Sequence, residues 1–254
     1  KERERRKELK IEALRKYEEA AKEEDIEEMK KYASRTSRLT KEMVDEAKEL
    51  LEALGLPIVQ APSEGEAQAA HLVVKGDAYA VISQDADSLI FGAPRIVKNL
   101  NISQRRKKAG TLAYTKVQPE LINLSDVLNK LQLTQDQLII LSVLVGTDYN
   151  VGGIKGIGPK KALHLVHKHP RDFSALFKEV KWEECWDTEW EEIYTAIKKI
   201  PVNDRYNLEW KAIDEEKVMK LLVEKHDFSK ERVERQLKGF SKDDKRQKGL
   251  GEFF

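Results

Sequence analysis

The sequence has 254 residues, and 46 Lys and Arg against 45 Asp and Glu leave a formal net charge of only +1 although 36% of residues are charged. Bulk charge therefore does not mark a nucleic-acid binder, and any such role must come from local patches. A single cysteine, Cys185, excludes an internal disulfide framework. No apolar run approaches the ~20 residues of a membrane span, so a soluble, intracellular chain with no membrane partner is expected.

Residues 1–35 mix Lys, Arg and Glu with a thin apolar stripe (Leu9, Ala13, Leu14, Tyr17, Ala21, Ile26, Met29), which predicts exposed helix broken near Glu24-Asp25. The sequence opens at Lys1 inside this charged pattern, as a fragment would. Thr40 is a candidate cap for a helix carrying Val44, Ala47, Leu50, Leu51 and Leu54, stopped by Gly55 and Pro57. An α/β pattern follows. Pro57–Gln60 is predicted as a short strand, Ser63–Lys75 as a helix ending at Gly76, and Tyr79–Ser83 as a buried strand. Arg95–Leu100 and Thr111–Val117 read as strands around a basic loop, Arg105–Lys108. Strands alternating with helices imply a largely parallel sheet. From Pro119 the chain reads as mostly helical, with Leu138–Val145 as core and helices at 159–168, 172–180, 189–199, 214–226 and 229–239. The expected organisation is a helical segment over 1–37, an α/β region over 38–148, a helical region over 149–240 and a flexible tail over 241–254.

Three acidic clusters fall where strands should end: Glu64 with Glu66, Asp85 with Asp87, and Asp148 in Gly146-Thr147-Asp148-Tyr149. Ligands of parallel sheets gather beyond the carboxyl ends of strands. Side chains alternate in extended backbone, so Asp85 and Asp87 can point the same way and flank a hard cation. Several carboxylates together suit two magnesium ions that act on a phosphodiester. A structural reading also stands: Ser63 and Glu66 have the spacing of a capping box, Asp85 or Asp87 suit turns, and Asp148 could sit in a plain loop.

The run Gly152-Gly153-Ile154-Lys155-Gly156-Ile157-Gly158-Pro159-Lys160-Lys161 has the spacing of a helix–hairpin–helix turn. Gly153, Gly156 and Gly158 would let backbone approach a phosphate, with φ > 0 expected at Gly156 and Gly158. Pro159 suits the first helical position, where free amides attract an anion. Lys155, Lys160 and Lys161 add charge. Such a turn reads DNA backbone rather than base sequence; the alternative is an ordinary Gly-rich turn. The tail ends Gln247-Lys248-Gly249-Leu250-Gly251-Glu252-Phe253-Phe254. Gln247, Leu250, Phe253 and Phe254 form a short apolar plug on a polar tether, which suits a peptide-in-groove mode of binding.

Taken together, Ala61-Pro62-Ser63-Glu64-Gly65-Glu66-Ala67, Ser83–Gly92 and Gly146–Lys161 resemble, in order and spacing, the internal motifs of the flap endonuclease family of structure-specific 5′ nucleases, in its archaeal form. The resemblance implies an α/β fold with a largely parallel sheet of the 5′-nuclease (PIN-like) type, followed by a helical helix–hairpin–helix DNA-binding region. It implies a magnesium-dependent endonuclease and 5′–3′ exonuclease that cuts branched double-stranded DNA bearing a 5′ flap, in replication and repair, by a two-metal mechanism. Glu64, Glu66, Asp85, Asp87 and Asp148 would be the catalytic metal ligands for two Mg2+ ions, with Mn2+ able to substitute. The hairpin would hold duplex DNA with K+ at its carbonyls, and Phe228-Ser229 would belong to a pocket for a one-nucleotide 3′ flap. The tail resembles a box that binds a sliding clamp (PCNA). Residues 1–37 would be the arch over the 5′ strand, with Arg3, Arg5 and Arg6 near the scissile phosphate. A cytoplasmic location follows for an archaeal protein, a nuclear one for a eukaryotic protein.

The departure from the family is an N-terminal nuclease segment with two further metal-binding aspartates, which this sequence lacks. The chain alone is thus expected to be impaired in catalysis. A non-catalytic DNA- and clamp-binding module on the same scaffold is the alternative function, and a junction or repair nuclease of the same family is a third.

Overall fold

The computed structural model describes residues 2–22, 39–100, 105–107 and 114–243, with 25, 26, 28, 29 and 32 between the first two segments. Its chain forms two compact units. One combines residues up to Val59 with those from Tyr206; the other is the continuous stretch Gln60–Arg205.

The first unit opens with α1 (Glu2–Lys22), whose exposed i,i+4 pairs, such as Lys16 Nζ to Glu12 Oε1 at 2.6 Å, support a helix with little apolar surface. The expected break is present: Asp25 Oδ1 accepts from the Glu28 N–H at 3.0 Å, as a helix cap does. Thr40 caps α2 (Lys41–Ala53) by accepting from the Met43 N–H at 3.2 Å. Ala53 of α2 is buried with Val218, Val233 and Leu237, which come from α11 (Glu215–Met219) and α12 (Lys230–Asp243). The predicted 214–226 helix is α only in its first half; Lys220–Lys225 is a π turn.

The strand expected at Pro57–Gln60, where the first unit gives way to the second, is irregular chain instead. In the second unit, helix α3 (Gly65–Val74) leads to β1 (Val81–Ile82), the short helix α4 (Asp87–Ile90) and β2 (Arg95–Lys98). β3 (Arg105–Lys107) and β4 (Tyr114–Lys116) pair antiparallel, so Arg105–Lys107 is strand where a basic loop was expected. β5 (Glu120–Asn123) is a strand at the start of the stretch read as helical. Among the described residues the main sheet has the order β1-β2-β5. β1 and β2 run parallel, with Val81 opposite Ile96, and β5 adds an antiparallel edge, with Ile96 opposite Ile122. Such an edge is common beside parallel strands.

The remainder of this unit is helical: α5 (Leu124–Leu131), α6 (Gln135–Val145), α7 (Pro159–Lys168), α8 (Phe173–Glu179), α9 (Trp182–Cys185) and α10 (Trp190–Lys198). α6 is the central element. Thr134 and Gln137 form a full capping box at its start, and Ile139, Ile140, Val143 and Leu144 are buried along it. They pack in one core with Ala70 and Val73 of α3, Ile96 of β2, Leu165 and Val166 of α7, and Phe177, Trp182, Ile193 and Ile197. Phe177 stacks on Trp190 at 4.4 Å and meets Trp182 edge-on at 5.2 Å. Around this apolar helix, Asp85 and Asp87 follow the end of β1, Asp148 follows the end of α6, and Glu64 and Glu66 stand at the start of α3. No described helix is long and apolar enough to cross a membrane.

Candidate metal centre

β1 ends at Ile82, and the backbone stays tied to β2 for one more residue because the Ser83 N–H donates to Val97 O at 3.3 Å. The chain then turns through Gln84, Asp85 and Ala86 into α4, whose first residue is Asp87. Asp85 and Asp87 thus flank a turn at the carboxyl end of a strand. Glu66 lies in the first turn of α3. The capping-box alternative does not hold, because α3 starts at Gly65, Glu64 occupies the cap position without capping, and the Glu66 carboxylate turns instead to β1. There Ser83 Oγ donates to Glu66 Oε1 at 2.8 Å.

Ligand oxygens of Glu66, Asp85 and Asp87 all lie within 4.8 Å of one another. The Asp87 carboxyl is pushed up from 3.8 to about 6, first by burial, then by the charges of Asp85, Glu66 and Asp148. Asp148 is therefore near enough to act on Asp87, although it stands outside the tight trio. Glu64 joins from the other side: burial, then Glu64 and Asp148, raise the Tyr149 phenol above its usual value. Of the five carboxylates predicted as a set, the structure brings Glu66, Asp85 and Asp87 to ligand spacing, while Asp148 acts electrostatically on Asp87 and Tyr149, and Glu64 on Tyr149.

Such a donor set fits a hard divalent cation. It offers only carboxylate oxygens, which suit Mg2+ or Mn2+ rather than zinc. A dipositive ion would also offset the burial and the like-charge repulsion that raise the Asp87 carboxyl.

The loop carrying Asp148 is fixed from below by Asn150, which is fully buried. Its Nδ2 donates to Val143 O at 2.6 Å, while its Oδ1 accepts from the Thr147 hydroxyl at 2.7 Å and the Thr147 N–H at 3.1 Å. Sequence reasoning passed over Asn150, Ser83 and Tyr149. A Thr with an Asn three residues on was the available signal for Asn150; Ser83 offered none, since its partners are set by the fold.

The hairpin continues directly from this loop. Gly153 has φ +57 and packs against the end of α6 so closely that a Cβ there would sit 2.5 Å from Leu144 O and nearer still to the Val145 carbonyl. Ile154 and Ile157 are buried anchors, and the Ile157 N–H closes a turn on Ile154 O at 3.0 Å with Gly156 at φ +82. Gly158 departs from expectation: its φ is −91, extended backbone at the cap of α7, because the helix start requires β geometry there. Pro159 takes the first helical position. Lys155, Lys160 and Lys161 are all exposed around this turn. The Trp186 indole N–H donates to Gly153 O at 3.2 Å, tying the hairpin to the aromatic cluster.

A sequence profile described as the XPG I-region matches residues 55–148, the span that contains all five carboxylates. Flap endonuclease 1 of Pyrococcus furiosus is 50% identical over 242 residues, covering 95% of this chain and 69% of that protein. The chain belongs to the flap endonuclease family. It spans about two thirds of the length of such relatives: the match to flap endonuclease 1 of Staphylothermus marinus, 49% identical, covers 66% of that protein. The solved flap endonuclease-1 from Methanococcus jannaschii superposes with a TM-score of 0.68 at 43% identity, over 85% of this chain and 62% of that one. The fold also extends to the catalytic core of Rad2 in complex with DNA substrate, at 22% identity and TM-score 0.61 over 80% of this chain and 70% of that one. The family's 5′-nuclease fold is thus the fold of this chain, as the motifs implied.

The other predicted site residues lie apart from this face in the chain. Phe228 is 56% exposed in the first unit, just after Asp227 at φ +54. Arg3, Arg5 and Arg6 belong to α1, but their side chains are outside the described residues, as are Gln247, Leu250, Phe253 and Phe254.

Proposed function

We propose that this chain carries the internal metal-binding face and the duplex-binding hairpin of a structure-specific 5′ flap endonuclease that hydrolyses phosphodiester bonds in branched DNA. The observation that carries the reading is the meeting of Glu66, Asp85 and Asp87 oxygens within 4.8 Å at the end of β1. Family membership supports it. Glu66, Asp85 and Asp87 would hold one Mg2+, with Asp148 and Glu64 beside them for a second. When bound, such ions lower the pKa of a coordinated water and neutralise charge on the leaving oxygen. The protein's own part is to hold the carboxylates of Glu66, Asp85 and Asp87 facing one another. Lys155, Lys160 and Lys161 would hold phosphates of the adjoining duplex without regard to sequence, with K+ at the hairpin carbonyls. Arg3, Arg5 and Arg6 would steady the scissile phosphate, Phe228 would meet a 3′ nucleotide, and the 247–254 tail would bind a sliding clamp (PCNA).

A two-part experiment tests this. Mg2+ or Mn2+ titration calorimetry should show binding that Asp87→Asn weakens severely, while anisotropy with a labelled flap duplex shows DNA affinity retained. Changing Lys155, Lys160 and Lys161 to Ala should do the reverse and flatten the log-affinity against log-salt slope by about 0.9 for each phosphate no longer neutralised. Metal-dependent incision by the unaltered chain marks the enzyme. DNA binding with no metal affinity at the carboxylates would mark a binding module and defeat the catalytic reading.

A further inference from the structure

Between the carboxylates lies one neutral side chain with two directed hydrogen bonds. Ser83 Oγ donates to Glu66 Oε1 at 2.8 Å and accepts from the Asp85 N–H at 3.0 Å. A hydroxyl has one proton. The Asp85 amide can only donate and the Glu66 carboxylate can only accept, so that proton goes to Glu66. Its own backbone is anchored, since the Ser83 N–H donates to Val97 O of β2. The hydroxyl therefore ties three elements together: the sheet, the first turn of α3, and the turn that carries Asp85. Asp85 is also restrained from the other side, its Oδ1 accepting from the Ala86 N–H at 2.7 Å. One oxygen of Glu66 and one of Asp85 thus accept from protein donors, which restrains both carboxylates beside Asp87.

We infer that Ser83 is a positioning residue for the metal centre: its hydroxyl sets the separation and direction of the Glu66 and Asp85 carboxylates so that both present an oxygen to one divalent ion. Electrostatics supports this placement. Without a cation, Glu66 and Asp85 repel each other and Asp87, and a side chain free to rotate would swing outward into water. A neutral donor on Glu66 and an acceptor for the Asp85 backbone keep them facing inward without adding a charge that would compete with the ion. Groups that orient metal ligands in this way commonly change metal affinity about 10–100-fold when removed. The inference rests on the metal reading proposed above.

Mn2+ affinity of the whole chain, measured by calorimetry and by the loss of the free-ion electron paramagnetic resonance signal, tests it. Ser83→Ala should weaken Mn2+ binding at least about tenfold, and Ser83→Thr, which keeps the hydroxyl, should restore affinity to within about threefold of the unaltered chain. Amide exchange gives a readout that needs no metal: the Asp85 N–H should lose protection in Ser83→Ala and keep it in Ser83→Thr. Should Ser83→Ala fail to fold, Ser83→Cys, with a weak hydrogen-bonding thiol of similar size, takes its place with the same expectations. Mn2+ affinity unchanged in the variant lacking the hydroxyl overturns the positioning role while leaving the metal site standing. Absence of Mn2+ binding by the unaltered chain overturns the metal site and the positioning role with it.

Discussion

Gly153 gives the sharpest test of how the hairpin is held to the core. Gly152, Gly153 and Gly156 all have positive φ, at +89, +57 and +82. They differ in what surrounds them. A Cβ on Gly152 or Gly156 would meet nothing within 4 Å, whereas on Gly153 it would overlap backbone of Leu144 and Val145 at the end of α6. An alanine in left-handed geometry costs about 1–2 kcal/mol, partly offset by about 0.4–1 kcal/mol from a stiffer unfolded chain. Gly152→Ala and Gly156→Ala should therefore each lose about 1 kcal/mol or less. Gly153→Ala carries the same backbone cost plus forced separation of the hairpin from α6, and overpacking of this kind adds about 1–3 kcal/mol. A total near 3 kcal/mol is expected, on the order of 10 °C in Tm for a chain of this size. Urea denaturation of the three variants gives the comparison, and amide exchange localises it: the Ile154 N–H, bonded to Leu144 O at 3.0 Å, should lose protection only in Gly153→Ala. If Gly153→Ala is within about 0.5 kcal/mol of Gly152→Ala, an allowance set by ordinary surface substitutions, the close approach does not hold the hairpin and the reasoning is wrong.

Three further outcomes are expected. Asn150→Ala leaves the Val143 carbonyl and the Thr147 amide without their buried partner, so stability should fall by about 3 kcal/mol in a denaturant titration, with a parallel loss of metal affinity as Asp148 loosens. Glu179 accepts from Lys168 and His169, and the Lys168 bond chiefly holds its carboxyl below the usual 4.5. A lowered folded-state pKa means stabilisation that is complete above the ordinary carboxylate range and is lost as pH falls through the lowered value. The Tm gap between Glu179→Gln and the unaltered chain should therefore be open near neutrality and close on acidification; a gap that widens in acid contradicts the assignment. Deleting residues 247–254 should abolish capture by an immobilised sliding clamp while leaving flap-duplex affinity unchanged, and retained capture would move the clamp-binding surface to the folded body.

Much of the site was legible because its chemistry needs particular residues at fixed spacing. The paired Asp85 and Asp87, the acidic start of α3 and the Gly-Ile-Gly-Pro turn cannot be replaced by residues of similar size without losing charge or backbone freedom. Helix ends were legible for the same reason: Thr40 and Pro159 do at their positions what those residue types do elsewhere. The misses have physical causes. Glu120–Asn123 is too short to show alternation, and only its partner Arg95–Lys98 makes it a strand. Arg105–Lys107 has no apolar face to betray pairing with Tyr114–Lys116. The role of Glu66 was ambiguous because cap and ligand share one spacing, and the direction of its carboxylate toward Ser83 removes the capping box. Gly158 was read as needing φ > 0, whereas its place at a helix start demands extended backbone.

The division of the chain has a consequence for how it is made. Among the described residues, the unit bearing the carboxylates is drawn from one stretch, Gln60–Arg205, so its packing within these residues needs no segment from far along the chain. The other unit does need one. Among the described residues, Ala53 shares its buried cluster with Val218, Val233 and Leu237, and at roughly 5–20 residues per second a ribosome needs on the order of ten seconds or more to travel from one to the other. Sequence-distant pairing of this kind is also slow by its topology, because a long loop must close before any native packing rewards it. Through that interval the apolar side of α2, with Leu50 and Leu54 beside Ala53, lacks the partners it has from α11 and α12, and this nascent helix is a surface that a cell would have to shield from aggregation.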